Sequence, residues 1–186
     1  MAKLIYVANV SLDGYIEDAH GRFEWTAPID EVFTFITDLV RPVGTYLYGR
    51  RMYETMAPWE ADPTLAAESE IMADFANVWQ GADKIVYSTT LQKVSTTNTR
   101  LERRFDPKSV REMKATAASD LTVGGPTLAA YAFNAGLVDE CQLFIYPVLV
   151  GEGKPAFPST ARVQLELLEE HRFGNGVVNL GYRIQS

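Results

Sequence analysis

With 186 residues and 47% hydrophobic content, the chain can bury one substantial core, and no composition shift or Ser-, Gly- or Pro-rich linker divides it, so residues 1–186 are expected to form a single domain. Seventeen basic against 24 acidic residues leave a net charge of −7, which excludes a protein whose main partner is nucleic acid or an anionic membrane. No run approaches the roughly 18 consecutive apolar residues of a membrane span. MAKLIYVANV is interrupted too soon by Ser11, Asp13 and Gly14 to act as a secretory leader. The single cysteine, Cys141, allows no internal disulfide, which suits a cytoplasmic protein; its neighbours Leu143 and Phe144 mark it as a buried small residue rather than a nucleophile.

Lys3 to Val10 is rich in β-formers and ends in Ser11-Leu12-Asp13-Gly14, a turn sequence, so it is expected to be a buried first strand. From Pro28 to Val40, Ile29, Val32, Phe33, Ile36, Leu39 and Val40 recur at helical spacing, with Thr26 available as a cap. Thr45 to Tyr48 is a short strand, and Gly49-Arg50-Arg51 turns it into a helix over Met52 to Met56. Glu60 to Gln80 is expected to be a surface helix over an excursion between strands. Lys84 to Ser88 is a further strand, Asp106-Pro107 starts a helix to about Ala118, and Asp120 to Val123 is a strand that leads through Gly124-Gly125-Pro126-Thr127 into a helix ending at Gly136. CQLFIYPVLVG is a long apolar strand. Gln164 to Arg172 and Val177 to Ile184 form a hairpin across Gly174-Asn175-Gly176. Strands alternating with helices, then a hairpin, imply an α/β fold with a mainly parallel sheet and antiparallel pairing at its end.

Three strand-to-helix turns then demand comparison: Gly49-Arg50-Arg51, Ser88-Thr89-Thr90 and Gly124-Gly125-Pro126-Thr127. In an open α/β sheet, ligands bind beyond the carboxyl ends of the parallel strands, where these groups would converge. Together they offer guanidiniums, hydroxyls and helix N-terminal N–H groups, which suit a ligand with several phosphates. A tight turn that binds nothing explains the glycines as well. Neither G-x-G-x-x-G nor GxxxxGK[ST] is present, so a different dinucleotide fold is required. His20 and His171 lie far apart in the sequence and support no metal site or hydrolytic triad.

KLIYVANVSLDGYI, YLYGRRMYET and LTVGGPTLAAYAFNAGLVDECQLFIYPVLVGEGKPAF resemble the dihydrofolate-reductase-like superfamily, in particular the reductase domain of the bifunctional riboflavin-biosynthesis deaminase/reductase. The resemblance runs from Lys3 to about Phe157 and implies a three-layer α/β fold. It also implies NADPH across the strand ends, with Gly49, Arg50 and Arg51 toward the adenosine phosphate and pyrophosphate, Ser88 and Thr89 toward the 2′-phosphate, and Gly124, Gly125, Pro126 and Thr127 at the pyrophosphate.

EWTAPIDEVF resembles the dihydrofolate reductase segment in which a Trp precedes a helix carrying the acid that holds the pterin. That likeness puts Asp30 at the acid's position as the catalytic candidate, a carboxylate to hold the ring edge or help deliver a proton as hydride reaches a C=N carbon, although a first-turn acid stabilised by the helix dipole explains it as well. Trp25 and Phe33 stand beside the substrate, and Asn9 and Asp13, at the end of the first strand, complete the candidate substrate set. Gly81-Ala82-Asp83 stands where dihydrofolate reductases carry an arginine for the folate glutamate, and an acid there repels that tail. The implied activity is NADPH-dependent reduction of a small heteroaromatic substrate of the pyrimidine or pteridine kind, foremost 5-amino-6-(5-phosphoribosylamino)uracil. Dihydrofolate or dihydropterin reduction and non-catalytic NADPH binding are the alternatives. The family is often homodimeric, and the CQLFIYPVLV strand is a candidate for the interface.

Overall fold

The computed structural model describes residues 1–185. The first apolar run forms β1 (Leu4–Ser11), whose alternate side chains Leu4, Tyr6 and Val10 are buried. Gly14, at φ +93°, turns the chain into β2 (Tyr15–Asp18), which pairs with β8 (Gly153–Pro155) in a small separate sheet. Both strands are too short for periodicity to reveal them. Next come α1 (Asp30–Val40), β3 (Thr45–Gly49) and α2 (Arg50–Met56).

The helix α1 begins two residues later than its apolar spacing suggests, with Ile29 at the cap and no side-chain cap bond; Thr26 instead donates its hydroxyl to Phe23 O in a short 3-10 turn. The expected helix over 60–80 is three: α3 (Pro58–Ala61), α4 (Pro63–Ala67) and α5 (Glu70–Gly81). Asp62 and Ser69 cap the second and third by accepting the amides of Thr64 and Met72. Nor is α5 only a surface element, because Phe75, Ala76 and Trp79 are buried beneath it.

The remaining elements are β4 (Asp83–Tyr87), β5 (Thr99–Glu102), α6 (Pro107–Thr116), β6 (Leu121–Gly124), α7 (Pro126–Asn134), β7 (Glu140–Tyr146), β9 (Gln164–Arg172) and β10 (Val178–Gln185). The eight-stranded sheet has the order β5-β4-β3-β6-β1-β7-β10-β9. Its first six strands are parallel, and the terminal hairpin adds the antiparallel pairs β7–β10 and β10–β9. Because strand side chains alternate, Leu47, Ile85 and Val123 join one core with α6 and α7, while Tyr46, Tyr48 and Val86 join another with α1, α2 and α5. The result is the expected three-layer α/β arrangement.

Two details bear on function. Cys141 is fully buried, and burial pushes its thiol up to about 12, which removes it as a nucleophile. The apolar strand expected near an interface, β7, has β1 and β10 on either side and is interior. The sheet's edges are β5 and β9, and on β9 Leu165, Leu167 and Leu168 are exposed.

Candidate active site

Parallel strands that end on one side of a sheet bring their following loops together, and here the ends of β1, β3, β4 and β6 surround a cavity of about 860 Å³. All nine residues expected at a dinucleotide line it: Gly49, Arg50, Arg51, Ser88, Thr89, Gly124, Gly125, Pro126 and Thr127. Gly125 has φ +88°, a conformation only glycine adopts without strain, and a Cβ on Gly124 would lie 3.0 Å from the Tyr48 ring and 3.2 Å from Met52 Cγ. The backbone therefore favours glycine at Gly125, a side chain at Gly124 would have to displace Tyr48 or Met52, and the turn the two make delivers the N-terminus of α7 to the cavity wall. No side chain caps that helix, and Pro126 at its first position has no N–H, so the first-turn amides that follow it face the cavity region unpaired by any cap. Ser88 Oγ accepts from Thr90 N at 3.2 Å and Leu91 N at 3.0 Å, which shapes the loop after β4.

The two arginines are less free than their sequence suggests. Arg50 donates to Glu54 Oε1 at 2.7 Å and Thr90 Oγ1 at 3.1 Å; Arg51 donates to Glu17 Oε1 at 2.9 Å and Gly21 O at 3.1 Å. Each is thus matched by a carboxylate. Arg103, Arg104 and Lys154 also line the cavity, and none of them forms a salt bridge among the described residues. Arg103 donates to the carbonyls of Ser88 at 3.2 Å and Leu91 at 2.6 Å, which holds it beside the loop after β4.

Sequence patterning does not reveal this pair because it does not reveal β5. Four residues of alternating exposure give little signal, yet β5 is a parallel neighbour of β4, and the strand-end rule places Arg103-Arg104 on the same side as Ser88. Tyr87, Phe105 and Tyr131 form an aromatic edge there, with Phe105 5.3 Å from the Tyr87 ring and 6.2 Å from Tyr131.

A second cavity of about 420 Å³ adjoins the first, and Asn9, Phe23, Met52, Met56 and Gly124 line both. Phe33 lines the second cavity, packed 5.6 Å from Trp59 and 5.1 Å from Phe75. Of the expected substrate residues, Asn9 and Phe33 are therefore at the cavities and three are elsewhere. Trp25 packs 5.9 Å from Tyr146 and lines neither cavity. Asp13 is engaged by the loop after β7: its carboxylate accepts Val150 N at 3.2 Å and Gly151 N at 2.8 Å, and the Ser11 hydroxyl with these amides holds it below the usual carboxylate range.

Asp30 is exposed at the first turn of α1 and lines neither cavity. Its helix turns Val32 and Phe33 inward, which leaves the acid in solvent near the positive end of the dipole. The acidic residue that lines the second cavity is Glu24, from the 3-10 turn, and it is exposed as Asp30 is.

Fold and site together define a dihydrofolate-reductase-like domain. The family described as "RibD C-terminal domain" matches residues 2–179, and the chain belongs to that family. It is 30% identical over 188 residues to the uncharacterized protein YyaP of Bacillus subtilis (strain 168), covering 97% of this chain and 94% of that one. Among solved structures it is similar to a putative riboflavin biosynthesis protein from Shewanella sp. PV-4, with TM-score 0.75, 19% identity and full coverage of both chains. It is also similar to a diaminohydroxyphosphoribosylaminopyrimidine deaminase/5-amino-6-(5-phosphoribosylamino)uracil reductase from Thermotoga maritima, with TM-score 0.68 and 12% identity over 99% of this chain and 57% of that longer one. At these identities the structures show the shared fold. No described helix is long and apolar enough to cross a membrane.

Proposed function

We propose that this protein is an NADPH-dependent oxidoreductase that reduces a pyrimidine- or pteridine-like ring. The reading rests above all on the convergence of Gly49, Ser88, Gly124 and Gly125, from three separate strand ends, on one large cavity that opens into a second, apolar one. When bound, the reduced nicotinamide supplies a hydride to the carbon of a C=N bond, whose nitrogen takes up a proton. The chain's part is to bind, orient and exclude water. The turn at Gly124-Gly125 and the first amides of α7 would hold the pyrophosphate, because unpaired N–H groups and the helix dipole both favour an anion. Arg103 and Arg104, with Ser88 and Thr89, would hold the adenosine 2′-phosphate. Phe23, Met52 and Met56 give the wall shared by the two cavities an apolar part, and Asn9 offers it a hydrogen-bonding group.

Glu24 takes the proton-handling place expected for Asp30. Glu24→Gln is expected to lower turnover about 10²-fold, the low end of what a general acid contributes. Asp30→Asn, an exposed change, is expected to leave turnover within about twofold. A steady-state assay that follows loss of reduced-nicotinamide absorbance checks both; a large effect of Asp30→Asn with none from Glu24→Gln would reverse the assignment. NADPH binding without turnover of any pyrimidine or pteridine would leave a non-catalytic NADPH-binding protein.

The proposal extends to a cytoplasmic homodimer. The edge strand β9 offers unpaired backbone groups and the exposed Leu165 and Leu167, which suit pairing with a second copy better than the interior β7. Light scattering during gel filtration should give twice the monomer mass for the native chain and the monomer mass for Leu165→Glu/Leu167→Glu. A native monomer would end this part of the proposal.

A further inference from the structure

Resting on the reductase reading above, we propose that the second cavity selects a planar, uncharged ring without a phosphate, and that Tyr46 and Thr122 are the hydrogen-bonding groups that recognise it. Among the described residues no Lys, Arg or His lines this cavity, and the one charged residue that does is the acid Glu24. A phosphorylated sugar placed there would lose its hydration with no cation to replace it, beside a like charge. The cations of the site, Arg50, Arg51, Arg103, Arg104 and Lys154, all line the first cavity. A substrate phosphate that reached them would compete with the phosphates of the cofactor.

The walls suit a flat π system instead, since Phe33, Trp59, Phe75 and the stacked pair Tyr46 and Tyr48 surround the space. Within them, the unused hydrogen-bonding groups sit on the sheet. Tyr46 on β3 and Thr122 on β6 are direct neighbours in the parallel register, and both line the second cavity and not the first. Tyr46 is only 4% exposed, and its hydroxyl is buried without a hydrogen-bond partner, although the adjacent Tyr48 hydroxyl accepts from Trp79 Nε1 at 3.1 Å. Thr122, also 4% exposed, makes no side-chain hydrogen bond among the described residues.

Folded proteins seldom leave buried polar groups unpaired away from function, because the lost hydration is not recovered. The other hydroxyls at this cavity are already committed: Thr26 donates to Phe23 O and Thr55 to Arg51 O. A ring with carbonyl or ring-nitrogen acceptors along one edge, such as a pyrimidinedione or a pteridinedione, would meet the two free hydroxyls while its faces lie against the aromatic walls. A phosphoribosyl substituent would have no counterpart.

The test uses the purified protein saturated with NADP⁺, which prevents turnover, and two probes: lumazine, an uncharged bicyclic dione followed by its own fluorescence, and uridine 5′-monophosphate, followed by displacement of lumazine. Lumazine is expected to bind saturably and uridine 5′-monophosphate at least tenfold more weakly. Tyr46→Phe, which keeps the ring and removes only the hydroxyl, should weaken lumazine about tenfold, equivalent to about 1.4 kcal/mol, with NADP⁺ affinity unchanged and the urea midpoint not lowered. Thr122→Val supplies the second variant and should act in the same direction. Equal or tighter binding of the monophosphate, or lumazine affinity unmoved by both variants, would overturn the proposal. Failure of NADP⁺ itself to bind would instead sink the reductase reading, which a titration with NADP⁺ alone reports separately.

Discussion

Replacing Arg103 and Arg104 together by alanine is expected to weaken NADPH by roughly two powers of ten and NADH by less than about threefold. A charge-assisted hydrogen bond contributes about 1.5–3 kcal/mol, so removing two such bonds to a phosphate accounts for a change of that size. NADH has no 2′-phosphate, so it should report only the indirect cost of breaking the Arg103 bonds to the Ser88 and Leu91 carbonyls. Arg104→Ala alone isolates the charge, since Arg104 makes no hydrogen bond among the described residues that the substitution would break. The double change Arg50→Ala/Arg51→Ala is the comparison, because those guanidiniums already face Glu54 and Glu17 and their removal also frees two carboxylates beside the cavity. It should weaken both cofactors to a similar degree. Fluorescence titration of each variant with both nucleotides checks the pattern, and an equal weakening of NADPH and NADH in the Arg103/Arg104 variant would remove the 2′-phosphate assignment.

Trp79→Ala should destabilise the fold by about 3–5 kcal/mol, the usual cost of emptying a large aromatic site in a core. Trp79 is fully buried at the end of α5, packs in the core under Tyr48 and Phe75, and donates its Nε1 to the Tyr48 hydroxyl. It also carries Lys84, whose ammonium lies 4.4 Å from the ring centre and donates to the carbonyls of Trp79 and Gln80 at the end of α5. Burial lowers the pKa of that lysine, so removing the ring takes away a favourable partner of a desolvated ammonium as well as opening a cavity. Trp79→Phe should cost less, with the unpaired Tyr48 hydroxyl contributing about 1–3 kcal/mol of it. Urea unfolding would show a lower midpoint at unchanged slope for both. Because the indole lines the second cavity and not the first, NADPH affinity of the folded Trp79→Phe protein should stay near that of the native chain.

The fold is legible where patterns are long. The run after Lys3, the helical spacing from Ile29 to Val40 and the Gly174-Asn175-Gly176 turn each announce their element, and the order of strands and helices implies a parallel sheet with a terminal hairpin. Short strands escape, because β2, β5 and β8 have three or four residues each and no period to detect. Their invisibility propagates to the site, since Arg103-Arg104 follows β5.

The site is legible where glycine is obligatory and where strand ends converge by topology, as at Gly49, Ser88 and Gly124. It is not legible where a side chain's direction decides its role. Asp30 and Glu24 lie six positions apart and are both exposed, and only the placement of the 3-10 turn and the start of α1 reveals that Glu24 alone lines a cavity. Asp13 likewise turns to the amides of Val150 and Gly151, 137 and 138 positions away, a contact no local reading supplies.

The most direct measurement is a fluorescence titration of the purified native protein with NADPH and NADH. Saturable binding that favours NADPH by tenfold or more is the predicted result, since the first cavity joins a glycine turn and a helix N-terminus to two arginines that no carboxylate neutralises among the described residues. Absence of binding by either nucleotide would contradict it and reduce Gly124-Gly125 to a turn that serves only the packing of Tyr48.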